Sequence, residues 1–184
     1  MKKSPLRVFV SVLTLGLLGI TLAKGYEVHQ VSSAKALSAE NWGLGFGEEG
    51  KAPTANQTAE ELKQYEAYYI GDEKEKKIYL TFDCGYESGY MPVILDALKE
   101  ADVKATFFLV GNYLEKEPEL VKRMVEEGHV IGNHTYSHMQ LRQDNKDAFS
   151  KELQKTNQVL KELTGEDVVY VRPPHGSWDK ELEQ

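Results

Sequence analysis

From residue 77 onward the apolar pattern of the chain keeps switching between two periods, and that alternation limits the fold more than any other feature. Residues 77–82 (KIYLTF) read as a strand, and Met91, Ile94, Leu95 and Leu98 then share one face of a helix. Residues 105–110 (ATFFLV) form a continuous apolar run expected of a buried strand. A second helix is expected to start near Pro118, bury Leu120, Val121, Met124 and Val125, and stop at Gly128, because Pro suits a first turn and Gly a C-terminal cap. Val130 and Ile131 make a third, short strand. A third helix runs from about Asp144 with Phe149, Leu153, Thr156, Leu160 and Leu163 on one side, and ends at Gly165 before a strand at residues 168–171. This β-α-β-α-β-α-β series predicts an α/β fold with a parallel sheet, either open or curved into a barrel.

The residues ahead of that series read differently. Residues 1–7 are basic and residues 8–23 (VFVSVLTLGLLGITLA) are uncharged and mostly apolar, the layout of an export signal. The run is shorter than the ~20 residues a spanning helix wants, although a tilted fit would keep it as a membrane anchor. Residues 1–36 are therefore expected to be a signal peptide or anchor and to send the chain outside the cytoplasm. Residues 37–76 read as an extension and linker that docks by Trp42 and Phe46 and holds a short helix behind the capping box Thr58-Ala59-Glu60-Glu61. Residues 77–184 form the main domain.

Charge and cysteine content remove several function classes. The 184 residues carry 22 Lys and Arg against 29 Asp and Glu. The first 24 hold four of the bases and no acid, so the rest of the chain is strongly acidic, a poor partner for nucleic-acid phosphates. The negative mean hydropathy excludes a polytopic membrane protein. Cys84 is the only cysteine, so no internal disulfide can form and stability must come from packing.

The polar residues that interrupt the series stand at strand C-terminal ends: Asp83 and Cys84 after the first, Gly111 and Asn112 after the second, Asn133 and His134 after the third, Arg172 after the fourth. Parallel strands bring those ends to one rim, where α/β folds hold their active sites. His134 and His138 have the four-residue spacing that aims two imidazoles one way on a helical turn, half of a divalent-metal site or equally a surface pair. Asp83 ends an apolar strand, where a carboxylate needs a cation or a hydrogen bond, and Arg172 or a metal would supply it. Cys84 reads either as a thiolate ligand to zinc or as a small buried hydrophobe. Pro173 and Pro174 stiffen the loop after Arg172, so the His175 N–H becomes a candidate oxyanion donor. His129 and His29 have no such company and read as structural or solvated.

Three segments together resemble a known family. Thr81-Phe82-Asp83-Cys84-Gly85, Asn133-His134-Thr135-Tyr136-Ser137-His138 and Arg172-Pro173-Pro174-His175-Gly176 are similar, in order and spacing, to the first three motifs of the NodB-type polysaccharide deacetylases. The wording around them, over residues 41–184, looks most like the branch that deacetylates N-acetylmuramic acid in peptidoglycan on the route to the muramic δ-lactam of spore cortex. Chitin, xylan or another acetylated glycan is the alternative substrate, and a non-catalytic wall-binding pseudoenzyme the alternative role. The resemblance implies the N-terminal part of a distorted (β/α) barrel and a metal-assisted amide hydrolysis. In that scheme His134 and His138 hold a divalent cation, zinc or else cobalt, manganese or magnesium, which acts as Lewis acid. Asp83 would be the general base oriented by Arg172, and the His175 N–H would share the oxyanion with the metal. The family's second Asp, a metal ligand, is Cys84 here, and its later motifs have no counterpart before Gln184, which implies a truncated barrel with an open edge at residues 168–171.

Overall fold

In a computed structural model of the chain, residues 42–177 are described. They belong to one compact unit, 37–184. The expected signal or anchor at 1–36 lies outside the described residues, as does His29. Among the described residues no helix is long and apolar enough to cross a membrane.

The order of elements follows the alternation. A small antiparallel ladder, β1 (Leu44–Gly45) with β2 (Thr54–Ala55), is followed by helix α1 (Ala59–Lys63). Strand β3 (Thr81–Cys84) leads to α2 (Met91–Glu100) and β4 (Thr106–Leu109). Helices α3 (Gly111–Lys116) and α4 (Pro118–Glu126) then cross to β5 (Val130–Asn133), and α5 (Lys146–Thr164) follows a short 3-10 turn. The three long-range strands form a parallel sheet in the order β3-β4-β5. Its register aligns Asp83 with Phe108 and Phe108 with Gly132, and aligns Cys84 with Leu109 and Leu109 with Asn133.

Because side chains alternate along a strand and partners in register share a side, the sheet has two distinct faces. Phe82, Cys84, Phe107, Leu109 and Ile131 fall on the face that α2, α3, α4 and α5 cover, and all join one core with Leu95, Leu98, Tyr113, Leu114, Val121, Met124 and Leu160. Phe82 stacks on Phe107 at 5.0 Å between ring centroids. The opposite face presents Asp83, Phe108 and Gly132. Gly132 is small of necessity, since a Cβ there would collide with the Phe108 ring.

Local chemistry accounts for the boundaries. Thr58 caps α1, its hydroxyl accepting the Glu61 N–H while the Glu61 carboxylate accepts the Thr58 N–H at 2.9 Å. The crossover after β4, expected as one helix from Pro118, is two helices. Helix α3 starts directly at Gly111, and Pro118 keeps Glu117 out of helical geometry (φ −124°, ψ 44°). Helix α5 ends on Gly165 in the left-handed region (φ 79°).

Three expectations are corrected. Residues 77–80 precede the ladder rather than joining it, because β4 begins only opposite Thr81; Ile78 is 89% exposed. Residues 168–171 make a single parallel bridge, Val171 to Asn133, instead of a strand, and Val169 is 78% exposed. The bridge is closed by the Asn133 N–H to the Tyr170 carbonyl (2.8 Å) and the Arg172 N–H to the Asn133 carbonyl (3.0 Å). Of the two docking aromatics, Trp42 is half-buried and meets Tyr69 edge-on at 5.6 Å, whereas Phe46 is exposed.

Candidate active site

The ends of β3, β5 and the 171–176 segment bring five of the expected residues together. Asp83 Oδ1 accepts the Arg172 Nη1–H at 2.7 Å, and Asp83 Oδ2 lies 4.0 Å from His134 Nε2. The Arg172 guanidinium rests on the Phe108 ring, 4.1 Å from its centroid. A planar cation on an aromatic face is held in two ways at once, by the ring below and the carboxylate beside it. Rings of His134 and His138 lie 4.9 Å apart, and those of His138 and His175 5.0 Å apart, both edge-on.

His134 is buried, and its Nδ1 lies 2.6 Å from the Arg172 carbonyl oxygen. A carbonyl only accepts, so Nδ1 carries a proton there and Nε2 is the ring nitrogen that faces Asp83. Burial, reinforced by the neighbouring His134 and His175, holds His138 below the usual imidazole range.

The loop that presents the imidazole pair is not the helical turn that the four-residue spacing predicts. Residues 134–139 form a bend in which Thr135 (φ 65°) and His138 (φ 59°) both adopt left-handed geometry. His175 does the same (φ 62°), so three of the five non-glycine residues with positive φ among those described stand at this rim. Each such residue costs roughly 1–2 kcal/mol, which surrounding bonds must offset. Several do. The Thr135 N–H donates to Asn133 Oδ1 (2.8 Å) and the Met139 N–H to Thr135 Oγ1 (3.0 Å). Ser137 donates to Glu152 through both its N–H (2.5 Å) and its hydroxyl (2.8 Å), and the Tyr136 hydroxyl meets Glu115. The Gly111 N–H donates to the Tyr136 carbonyl at 2.9 Å, and a Cβ on Gly111 would collide with the Tyr136 ring.

The third segment is held from the other end of the chain. The Trp42 N–H donates to the Gly176 carbonyl at 2.7 Å, and Gly176 (φ 61°) has no room for a side chain against the Trp42 carbonyl oxygen. Ser177 returns its hydroxyl to the Pro174 carbonyl (2.5 Å).

Cys84 stays apart from this group. It lies on the helix-covered face of β3, one residue and one side removed from Asp83. Burial, with the charges of Asp83 and Glu87, pushes its thiol up to about 12. A thiol so placed remains protonated and packs as a small hydrophobe. Among the described residues no group of three or more His, Cys, Asp and Glu is arranged to hold a metal ion. What does come together is two edge-on imidazole rings with a carboxylate oxygen 4.0 Å from His134 Nε2, donor types that suit a divalent cation.

His129 stands in none of this. It is buried beneath the sheet, where its Nδ1 accepts the Ala105 N–H at 3.2 Å. Four contributors carried no role in the motif reading: Phe108, Asn133, Glu152 and Asn157. Asn133 is fully buried, and its Nδ2 donates to Asn157 Oδ1 (2.7 Å) and the Leu153 carbonyl (2.9 Å). A polar residue that ends a buried strand must find partners, and that requirement was the available signal.

The polysaccharide deacetylase family matches residues 70–184. The peptidoglycan-N-acetylmuramic acid deacetylase PdaA of Bacillus subtilis is 44% identical over 138 residues, 74% of this chain and 52% of that protein. Its solved structure, described as a family 4 carbohydrate esterase, is similar with a TM-score of 0.72 at 39% identity, covering 80% of this chain and 64% of its own. A peptidoglycan-N-acetylglucosamine deacetylase of Bacillus cereus is 44% identical over 115 residues, 62% of this chain and 42% of that protein. The chain spans about half the length of the curated relatives it matches.

Proposed function

Because the chain belongs to the polysaccharide deacetylase family, we propose that it serves the hydrolysis of an acetamide on a peptidoglycan glycan, N-acetylmuramic acid in the first instance, with release of acetate. The observation that carries this is the convergence of the Asp83–Arg172 pair on the His134–His138 pair at one rim. Arg172 occupies Asp83 Oδ1, which leaves Oδ2 directed toward His134 and free to take a proton from water as general base. His134 and His138 are the residues that would hold the cation. Bound there, zinc, cobalt, manganese or magnesium supplies Lewis-acid polarisation of the amide carbonyl. His175, left-handed on a loop stiffened by Pro173 and Pro174, offers its amide N–H as the oxyanion donor in this reading. Water adds to the carbonyl carbon, the C–N bond breaks, and the amine departs with the proton that balances it.

The relatives named above are deacetylases of peptidoglycan, a polymer of the cell wall. Export through residues 1–36, as a cleaved signal or a membrane anchor, fits that destination, and a role in spore-cortex δ-lactam formation is the narrower form of the reading. Acetate release from muramic-acid-containing glycan, with chitin and acetylated xylan as competitors, tests it. Release that falls at least tenfold in Asp83→Asn supports the reading. A folded, cobalt-loaded chain that releases none from any of the three overturns it.

A second reading rests on Cys84. With that residue in the core, two imidazoles remain as firm ligands among the described residues, which favours a glycan-binding protein without turnover. It predicts glycan binding that Asp83→Asn leaves intact.

A further inference from the structure

Helix α5 places no side chain among Asp83, His134, His138, Arg172 and His175, yet it contacts the loop bearing both imidazoles at three points. Glu152 accepts two hydrogen bonds from Ser137, the neighbour of His138. Lys155 Nζ lies over the Tyr136 ring, 3.3 Å from its centroid. Asn157 accepts from Asn133, which in turn accepts the Thr135 N–H. The helical period puts Glu152, Lys155 and Thr156 on one side of α5, where buried Thr156 returns its hydroxyl to the Glu152 carbonyl at 2.9 Å, and Asn157 reaches Asn133 from the neighbouring side.

The fastened residues are those that flank the strain. Thr135 and His138 hold left-handed backbone that side chains of their kind rarely adopt. Asn133 Oδ1 pins the amide of the first, and Glu152 pins the residue before the second. Relaxing either would swing one imidazole relative to the other, because a change of φ rotates everything beyond it.

We infer that α5 is a brace for the imidazole pair, and that Glu152 and Asn157 are positioning residues that keep His134 and His138 convergent for a shared cation. This rests on the proposed metal role of the pair. Outer contacts of this kind typically alter metal affinity 10- to 100-fold. Glu152 and Asn157 are both only partly buried, so their removal should act on the loop before it acts on the fold.

The test uses the full chain and cobalt(II). Affinity is titrated by the visible absorption of the bound ion, and in the metal-free chain the contact between the two imidazole rings is read by nuclear Overhauser effects. Glu152→Ala and Asn157→Ala should each weaken cobalt binding on the order of 10-fold or more and diminish the ring-to-ring signal. Glu152→Gln, which keeps an acceptor oxygen, should recover part of both. Lys151→Ala, an exposed neighbour on the same helix, should change neither. Wild-type affinity and ring contact in both alanine variants would overturn the brace. So would loss of affinity only in step with a lowered melting temperature of the metal-free chain, since the role would then be structural. If the wild type binds no cobalt, or His134→Ala binds it undiminished, the metal reading fails and the brace fails with it.

Discussion

The two faces of the three-stranded sheet are built from alternate residues of the same strands, yet they obey opposite rules. On the helix-covered face Phe82, Cys84, Phe107, Leu109 and Ile131 pack against four helices. On the other face Asp83, Phe108 and Gly132 support a half-exposed ion pair, and the loops beyond them hold three residues in left-handed backbone. The first face lowers the free energy of the fold, and the second spends part of that gain on holding polar groups in fixed geometry. Asp83 and Cys84 make the contrast at its sharpest. Adjacent in sequence, they differ in face and in exposure to solvent, so a change at one should have almost nothing in common with a change at the other.

That contrast can be broken by experiment. Asp83→Asn should have the largest effect, lowering acetate release by about 10² to 10⁴ while shifting stability by under ~1 kcal/mol, because the Arg172 partner is half-exposed. Steady-state kinetics and a urea melt on one preparation check both halves. Phe107→Ala should do the reverse, costing about 3–5 kcal/mol as a fully buried ring leaves a cavity, with any activity loss tracking the folded fraction. Gly132→Ala sharpens the boundary. Its new methyl meets the Phe108 ring beneath Arg172, so a cost of about 1–3 kcal/mol should come together with a fall in kcat. Equal effects of Phe107→Ala and Asp83→Asn on both readouts would erase the distinction between the faces.

The smallest effect concerns pH. Burial raises the Cys84 thiol from 9.0 to about 12, so above pH 9 the unfolded chain releases a proton that the folded chain retains. The folded state then binds more protons, and stability falls as pH rises through that window. The urea midpoint should drop between pH 9 and 10 by less in Cys84→Ala than in the wild type, and thiol reagents should label Cys84 only upon unfolding.

Much of the fold was legible because period and punctuation are local. The apolar spacings that mark Leu95, Leu98, Val121, Met124 and Leu160 place them in the core, and Gly165 and the Thr58 capping box end and begin helices as their chemistry dictates. The convergence of Asp83, Arg172 and the two imidazoles also follows from topology, since parallel strands share one rim. What escaped depends on partners distant in sequence. Residues 77–80 and 168–171 have strand-like composition, but a strand exists only where a neighbour supplies hydrogen bonds, and composition does not encode that neighbour. The spacing of His134 and His138 suggested a helical turn because spacing carries no sign of φ. The bonds that hold the bend come from Glu152 and Asn133, which no local pattern connects to it. Cys84 carried two readings, and strand alternation, counted from Asp83, assigns it to the core.

The hydrogen bond between Trp42 and Gly176 joins points about 130 residues apart, so its closure carries one of the largest chain-entropy costs in the molecule. Brief openings at this seam, read as rapid amide exchange at Trp42, should slacken the His175 turn while the hydrophobic interior stays intact.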